Sequence, residues 1–576
     1  MKKIVLSIFV IIMILILSLS SVNATIKQVQ VAELNLQMIN KKFYPVGWTI
    51  LTDDGFGKLC NVAIRGMAIY KNELYVGTHN LNLSKLSLNQ NLNINIETGL
   101  IANLYKEELS TNLIQEEFIA DLTQERSLLD LVLERQLIES HESCLQTDNL
   151  ATVNGYSNEN LDNSISTGFH QVPYQGLNLI TILIHLVNKA SDGCNVYKYN
   201  YTTGQLIQIV GDESVTGMKS GFNYTFNCDA SIIKVFNDKL YVGTWNTAIG
   251  SKQNPERKGC EIWRFDGSTW EQVVGHNALT KGGFGNPANV AAWSMREFNG
   301  YLYVGTMNWG FSSNSGCEIW RTQNGINWEK VVDRGFKPFM SPSDLANGTA
   351  NTYAWDMGEF QEQLYVGTFN LKMFSKVGWG CQLWKTYDGL NWNKVILPSG
   401  DGFGEPENYG IRKLVIYNDE LYVSTAAHIL KDEALEIWKF DGTDWIPVIG
   451  DDVPGVEEGD IEYDGFGNPL NKYAWSMAVT SDNKLWVGTG NLKMTYTGGL
   501  YSEGCEIWNY NGNGWIPVVK DGYEKPNGFG NEKNQAARSM IEYPEGSGNI
   551  VVGTLRIATL SPKIPQEGCD LWIRIS

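Results

Sequence analysis

The residues best suited to bind a charged ligand recur at one position of a repeated pattern. Each repeat opens on an asparagine, and the fourth residue after it is usually an arginine or a tryptophan. Those residues are Arg65, Trp293, Trp355, Arg412, Trp475 and Arg538, with Ser231 in the remaining repeat. Guanidinium and indole groups together suit a carboxylate or sulfate on a flat or sugar-like body. We therefore expect these side chains, joined by Arg556 of the last repeat, to form a ligand receptor.

A structural role for the same cluster is the alternative. Arginine and tryptophan side chains can stack on one another, and Asp229 and Asp356 can pair with the guanidinium groups. These two aspartates are also the candidate catalytic residues, because glycoside hydrolysis needs two carboxylates across the scissile bond. They stand two and five residues after their asparagines, so the sequence does not place them together.

Metal chemistry has little support in the sequence. None of the six histidines stands at a metal-ligand spacing from another, so no metal centre is predicted. The acidic loops "DDGFG" and "DGFG" contain carboxylate and carbonyl oxygens, which are the ligands of Ca²⁺. Ca²⁺ at Asp53, Asp54, Asp401 or Asp464 is therefore the one alternative to the absence of a cofactor.

The repeat itself predicts how these residues are positioned. The opening asparagines are separated by 166, 62, 62, 57, 63 and 63 residues, and they are Asn61, Asn227, Asn289, Asn351, Asn408, Asn471 and Asn534. After the last one only residues 534–576 remain, and they lack the final part of a repeat. That part is present near the N-terminus as "GWTILTDDGFGKLC", residues 47–60. The two ends of the chain are therefore expected to complete one unit together.

Each repeat is typical of four antiparallel strands. In one of them, "WSMREF", "YLYVGT", "CEIWRT" and "WEKVV" are short β-branched and aromatic runs separated by Gly-containing breaks. Repeats of about 60 residues with this content indicate a β-propeller. We expect an all-β fold: a seven-bladed β-propeller over residues 44–576, closed by an N-terminal strand in the last blade.

Two propeller families are similar to the repeat. The order "M..FNG.LYVGT" followed by "EIWRFDGSTWEQV" resembles a kelch blade, and the turns "RTQNGINW" and "KTYDGLNW" resemble an Asp-box. The resemblance implies a propeller in which these turns are structural. It implies no activity, because propellers carry many unrelated functions.

The recurrent residues are expected to be scaffold. The opening asparagines would cap loops, and a second set that follows the second strand would brace them: Asn80, Asn246, Asn308, Asn370 and Asn491. Cysteines recur before the third strand and are expected to be packed thiols: Cys194, Cys260, Cys317, Cys381, Cys505 and Cys569. Cys60 and Cys228 are the one pair whose positions suggest a disulfide.

Two segments lie outside the repeat. Residues 1–24 have the basic, apolar and small-residue parts of a signal peptide, so the mature chain is expected to be secreted or at the cell surface, without a membrane span. Residues 81–190 form an insertion in the first blade, and part of it has apolar residues at helical spacing. We expect a partly helical cap over the channel mouth.

These features favour an exported, non-catalytic propeller that binds a glycan, a small acidic ligand or a protein partner at the channel mouth. Nucleic acid is excluded as a partner by the formal net charge of −18. Two alternatives stay open. One is an extracellular hydrolase or lyase acting on acidic sugars, sialidase-like in using arginines with Tyr353 or Tyr473, and the other is a structural adhesion protein. The oligomeric state is not predicted.

Overall fold

The computed structural model describes residues 47–82, 191–248, 258–309, 315–336, 351–370, 380–429, 431–494, 500–556 and 567–575. The predicted signal peptide and nearly all of the 81–190 insertion lie outside these residues. Among the residues described, no helix has the length and apolar character needed to cross a membrane.

The described chain is built from short strands. The first half contains β1 (Trp48–Thr52), β2 (Asn61–Tyr70), β3 (Glu73–Asn80), β4 (Val196–Asn200), β5 (Gln205–Val210), β6 (Asn227–Phe236), β7 (Lys239–Asn246), β8 (Ile262–Phe265), β9 (Trp270–Val274), β10 (Asn289–Phe298), β11 (Tyr301–Asn308), β12 (Ile319–Thr322), β13 (Glu329–Val332), β14 (Asn351–Phe360) and β15 (Gln363–Asn370). The second half contains β16 (Leu383–Thr386), β17 (Asn393–Lys394), β18 (Asn408–Tyr417), β19 (Glu420–Ala427), β20 (Ile437–Phe440), β21 (Trp445–Ile449), β22 (Asn471–Thr480), β23 (Lys484–Asn491), β24 (Lys493–Met494), β25 (Leu500–Tyr501), β26 (Ile507–Tyr510), β27 (Trp515–Val519), β28 (Ala536–Glu542), β29 (Ile550–Leu555) and β30 (Leu571–Arg574).

The helices of the described residues are single 3-10 turns. They precede the opening asparagines and are Ser220–Phe222, Gly282–Gly285, Arg334–Phe336, Asp401–Gly404, Asp464–Phe466 and Asn527–Gly530. The all-β prediction is thus confirmed. The predicted helices of the insertion lie outside the described residues.

Each repeat folds as an antiparallel four-stranded sheet. In β10–β13, β10 pairs with β11, β11 with β12 and β12 with β13. Asn299 and Gly300 join β10 to β11 with φ values of 49° and 71°, which are the positive values that a tight hairpin turn requires. The other sheets are β2–β5, β6–β9, β14–β17, β18–β21, the set β22, β23, β26 and β27, and the set β28, β29, β30 and β1.

The sheets form a closed ring, as in a β-propeller. The second strand of each sheet bridges to the first strand of the next, as His79 does to Asp229. Leu555 of β29 bridges to Ala63 of β2, which joins the last sheet to the first. The N-terminal strand completes that last sheet, since Trp48 pairs with Arg574. The predicted pairing of the two chain ends is confirmed.

A buried asparagine fastens each sheet to the loop before it. Asn289 Nδ2 donates to the Gly283 carbonyl at 3.0 Å and to Glu318 at 2.9 Å. Its Oδ1 accepts hydrogen bonds from Thr306 Oγ1 at 3.2 Å and from Asn308 at 2.8 Å. The same bond to a loop carbonyl is made by Asn61, Asn227, Asn351, Asn408, Asn471 and Asn534. The scaffold role predicted for the opening asparagines is confirmed.

Aromatic stacking locks neighbouring sheets together. Phe284, held at a positive φ of 58° in the turn before β10, stacks on Trp320 with ring centroids 4.9 Å apart. Its edge faces Trp328 at 5.4 Å. The Phe of the equivalent turn stacks in the same way in most sheets, so each turn buries apolar area against the next sheet.

The turns and thiols behave as scaffold. Asp388 Oδ1 accepts hydrogen bonds from the backbone amides of Leu390 and Asn391, both at 2.8 Å, which closes the turn resembling an Asp-box. The recurrent cysteines are free and buried, as predicted. Cys60 and Cys228 are also free, so the suggested disulfide is absent between these two described residues.

Ring closure can be tested at Trp48. Trp48 is buried and packs edge-on against Phe529 at 5.0 Å. Trp48→Ala is expected to lower the free energy of unfolding by about 3–5 kcal/mol, since a large core aromatic is removed. Ile396→Ala is the control: this side chain is 90% exposed, so a change within about 0.5 kcal/mol is expected. Equal denaturation midpoints for the two variants would contradict the role given to β1.

Candidate active site

A β-bulge projects the predicted ligand residues from the first strand of every sheet. In β10 the pairing with β11 passes from Ala292 directly to Ser294 and leaves Trp293 unpaired. The same shift occurs in each of the other first strands. Bulges of this kind redirect a side chain and are frequent beside active sites. The bulge therefore explains why the variable position falls four residues after the asparagine.

The bulge residues pair off as stacked cations and indoles. The guanidinium carbon of Arg65 lies 4.3 Å from the centre of the Trp293 ring, and that of Arg538 lies 4.3 Å from Trp475. Arg412 stacks on Trp355 at 5.2 Å. This is the stacking that the structural alternative predicted.

The two stacked tryptophans next to Arg412 and Arg538 depend on glycines. A Cβ on Gly410 would lie 1.9 Å from the Trp355 ring, and one on Gly490 would lie 2.3 Å from the Trp475 ring. Glycine is therefore required at both positions because the indole occupies the space of a side chain.

Arg65 is neutralised by the protein itself. Its Nε lies 3.0 Å from Asp229 Oδ2, and the same oxygen lies 3.1 Å from His79 Nδ1. Asp229 is fully buried. Asp229 is thus engaged by Arg65 and His79, and it is not among the residues that line the central cavity.

Arg412 and Arg538 differ from Arg65. Both are buried, and neither forms an ion pair with any carboxylate of the described residues. Burial, together with the charge of Arg65, lowers the pKa of Arg412 to about 9. Two cations therefore stand close to the axis of the ring without an ion-paired carboxylate from the described part of the chain, although Asp356 acts on Arg412 at longer range.

A cavity of about 130 Å³ lies on the axis of the ring. Its walls come from the first strands of all the sheets and include Arg65, Arg412 and Arg538. Asp356 and Lys413 also line it, and Lys413 Nζ lies 3.5 Å from Asp356 Oδ1. Asp356 additionally accepts the Leu414 backbone amide at 3.0 Å. The two candidate aspartates are thus in different environments, and only Asp356 faces the cavity.

Lys413 was missed by the sequence analysis. Burial lowers its pKa, against the opposing effect of Asp356. The available signal was its place directly after Arg412, the candidate ligand residue of that repeat.

Tyrosines form an apolar layer beside the guanidinium groups. Tyr353 receives a hydrogen bond from Trp309 Nε1 at 3.0 Å, and the hydroxyls of Tyr409 and Tyr473 are hydrogen-bonded to each other. Burial raises the pKa of all three. They remain protonated at neutral pH, so they are hydrogen-bond donors rather than bases.

Arg556 belongs to the junction of the chain ends. Its guanidinium pairs with Asp570 and, at 3.4 Å, with Asp54, while its Nε donates to Asn534 at 2.7 Å. It does not line the axial cavity. The structure thus separates Arg556 from the other predicted ligand residues, because the buried Asp570 and the exposed Asp54 already pair with it.

The acidic loops predicted for Ca²⁺ differ from one another. Among the described residues, one group has carboxylate oxygens within 4.8 Å of each other: Glu436, Asp451 and Asp464. Asp401 instead pairs with Lys394 at 2.6 Å. Burial raises the pKa of Glu436 to about 8 and that of Asp464 to about 7, with the neighbouring acids adding to both. Ca²⁺ binding stays a prediction.

Comparisons with known proteins yield structural neighbours and no sequence family. No protein-family model matches the chain, and no curated protein does. The α-L-arabinofuranosidase of glycoside hydrolase family 93 from Fusarium graminearum, in complex with arabinobiose, is 12% identical with a TM-score of 0.34, covering 60% of this chain and 91% of that one. The α-L-arabinanase of Penicillium chrysogenum is 11% identical with a TM-score of 0.33, covering 60% and 92%.

A third neighbour is a polysaccharide lyase of family 25, an ulvan lyase bound to a glucuronate–sulfated rhamnose unit. It is 13% identical with a TM-score of 0.35, covering 66% of this chain and 86% of that one. These neighbours act on carbohydrates, which contradicts the prediction of a non-catalytic binding protein and favours its alternative, a hydrolase or lyase. The kelch and Asp-box resemblances receive no support from them. The likeness concerns the fold, so the chemistry has to rest on this chain's own side chains.

The raised pKa of Glu436 predicts a pH-dependent stability. A native pKa of about 8 lies above the unfolded value of about 4.3, so the native state binds more protons and stability falls as pH rises between the two, by about 1.4 kcal/mol per pKa unit at most. Glu436→Gln should flatten this fall and raise the melting temperature at pH 8. Gln382 supplies the precedent, since it accepts the Asn351 amide at 2.8 Å and donates to Asp401 at 2.8 Å.

Glu506→Gln is the matched control. Glu506 occupies the same place but pairs with Lys520 at 2.9 Å, so its replacement should lower the melting temperature at pH 8. An equal loss of stability in both variants would contradict the assignment of a protonated Glu436.

Proposed function

We propose that the protein is an exported, seven-bladed β-propeller whose axial cavity is the active site of a hydrolase or lyase acting on acidic sugars. The regular spacing of the opening asparagines and the four-stranded sheets support the blade count. The apolar N-terminal segment supports secretion or display at the cell surface.

The pair of Lys413 and Asp356 inside the cavity is the observation that carries the proposal. A titratable amine and a carboxylate 3.5 Å apart, both lining a cavity on the axis, provide a proton acceptor and a group that holds it in place. Lowering the pKa of a lysine makes more of its neutral amine available as a base. Arg412 beside them supplies positive charge for an acidic substrate.

Elimination suits this arrangement better than hydrolysis. A glycosidase of the usual kind needs two facing carboxylates, and the cavity wall formed by the described residues has one, Asp356. In elimination, Lys413 would take the proton from C5 of a uronic acid residue. The C4–C5 double bond forms as the C4–O bond breaks, and the same proton can then pass to the leaving oxygen. Cations that neutralise the uronate carboxylate make the C5 proton easier to remove.

Turnover of acidic polysaccharides tests the proposal. A panel of uronate-containing and neutral polysaccharides would be followed by the ultraviolet absorbance of the unsaturated product, which reports elimination, and by new reducing ends, which both reactions give. Lys413→Met and Asp356→Asn should each lower kcat by about 10²-fold or more, as loss of a general base does.

Lys439→Met is the matched control for Lys413. Lys439 is 27% exposed and pairs with Glu420 at 3.0 Å outside the cavity, while Lys413 is 26% exposed. Its replacement should leave kcat unchanged. Absence of turnover on every acidic polysaccharide, or equal kcat in the two lysine variants, would overturn the proposal.

A further inference from the structure

One face of the guanidinium group of each of two cavity arginines is covered by an indole ring. Trp355 covers Arg412 at 5.2 Å, and Trp475 covers Arg538 at 4.3 Å. A guanidinium whose face is covered by an indole presents its in-plane N–H groups to its surroundings. These two groups therefore suit charge-assisted hydrogen bonds from their in-plane N–H groups to oxygen.

Several of the N–H and O–H groups at the cavity have no partner. Arg412 Nε and Arg538 Nη1 are buried without a hydrogen-bond acceptor in the described residues, as is Ser231 Oγ. The three residues are 7%, 4% and 7% exposed. Buried polar groups in native proteins nearly always have a partner, and leaving one unpaired costs about 1–3 kcal/mol or more for charged groups. All three line the cavity, so an acceptor inside it would satisfy them together.

The charges of the side chains that line the cavity also favour an anion inside it. Asp229 offsets Arg65, and Asp356 offsets Lys413. Arg412 and Arg538 form no ion pair within the described residues, although Asp356 acts on Arg412 at longer range. Buried charges without a counter-ion are costly, and an anion in the cavity would remove that cost.

We propose that Arg412 and Arg538 form an oxyanion subsite, in which their N–H edges and the Ser231 hydroxyl bind the carboxylate or sulfate group of an acidic sugar. Arg65 is excluded from this subsite, since Asp229 already pairs with its guanidinium group. The inference rests on the proposed function and deepens it by naming the substrate group and the side chains that select it. Neutral sugars offer no charge to the pair and are not bound there.

Anion binding can be measured without turnover. Inorganic sulfate, glucuronate and glucose would be titrated against the protein, with the quenching of tryptophan fluorescence and the heat of binding as readouts, since each arginine touches an indole. Sulfate or glucuronate should bind, and glucose should not. Preference between the first two distinguishes a sulfate ester from a uronate as the natural group.

Substitution of the two arginines gives the decisive comparison. Arg412→Gln and Arg538→Gln should each weaken anion binding by about tenfold to a hundredfold, the value of a hydrogen bond to a charged group. Arg574→Gln is the control, because Arg574 stacks on Trp486 at 5.6 Å and pairs with Glu524 at 2.8 Å, and it does not line the cavity. Its affinity should equal that of the parent.

The outcomes separate this inference from the proposed function. Unchanged anion affinity in both cavity variants, or an equal loss in Arg574→Gln, overturns the subsite. Anion binding that depends on both arginines without turnover of any polysaccharide supports the subsite and overturns the enzyme. Should Arg412→Gln fail to fold, Arg412→Lys keeps the charge without the planar fork, and affinity equal to the parent in that variant would overturn the subsite.

Discussion

The opening asparagine is the interaction on which the rest of the structure depends. It is buried at or just before the start of each first strand, and one side chain joins the preceding loop, the second strand and the residue before the third strand of its sheet. In the sheet of β10 these partners are Gly283, Thr306 and Glu318. Since an unpaired buried amide is costly, the three segments can meet only in this register. The bulge residue four positions later is thereby held at a fixed depth in the channel.

The same asparagine hydrogen bonds explain where carboxylates can be buried inside the sheets. The carboxylate that accepts the asparagine amide also accepts a tryptophan Nε1, as Glu318 does from Trp320 at 2.8 Å. In three sheets a cation approaches this carboxylate: Lys330 beside Glu318, Lys520 beside Glu506 and Arg556 beside Asp570. The sheet of Glu436 differs, because Asp451 and Asp464 take the place of that cation. There the carboxyl group keeps its hydrogen bonds by becoming protonated, so that this sheet alone among those described holds three acids together.

Much of the fold could be predicted from the sequence, because the repeat gives both strand period and turn chemistry. The pairing of β1 with β30 followed from a repeat that is incomplete at both chain ends. The bulge could not be predicted, because a strand with one extra residue has the same composition as a regular one. The glutamate just before the third strand was also missed as a partner of the asparagine. "CEIW" looks like an apolar strand, and only the structure shows that the Glu318 carboxylate is buried and accepts the asparagine amide.

The position of the candidate site was predicted, but which of its arginines form ion pairs was not. Residue types alone could not show that Arg65 is neutralised while Arg412 and Arg538 are not, because that difference arises from contacts between sheets far apart in sequence. Asp229 reaches Arg65 because its sheet follows that of Arg65 in the ring. The small Ser231 at the bulge between Arg65 and Trp293 leaves room for them to stack across it. The asparagine hydrogen bond to the preceding loop is the same in every sheet, whereas the bulge residues differ from sheet to sheet. One side of the cavity therefore has the ion-paired Arg65 and another has Arg412 and Arg538 without ion pairs to the described residues, and the repeated fold has an asymmetric site.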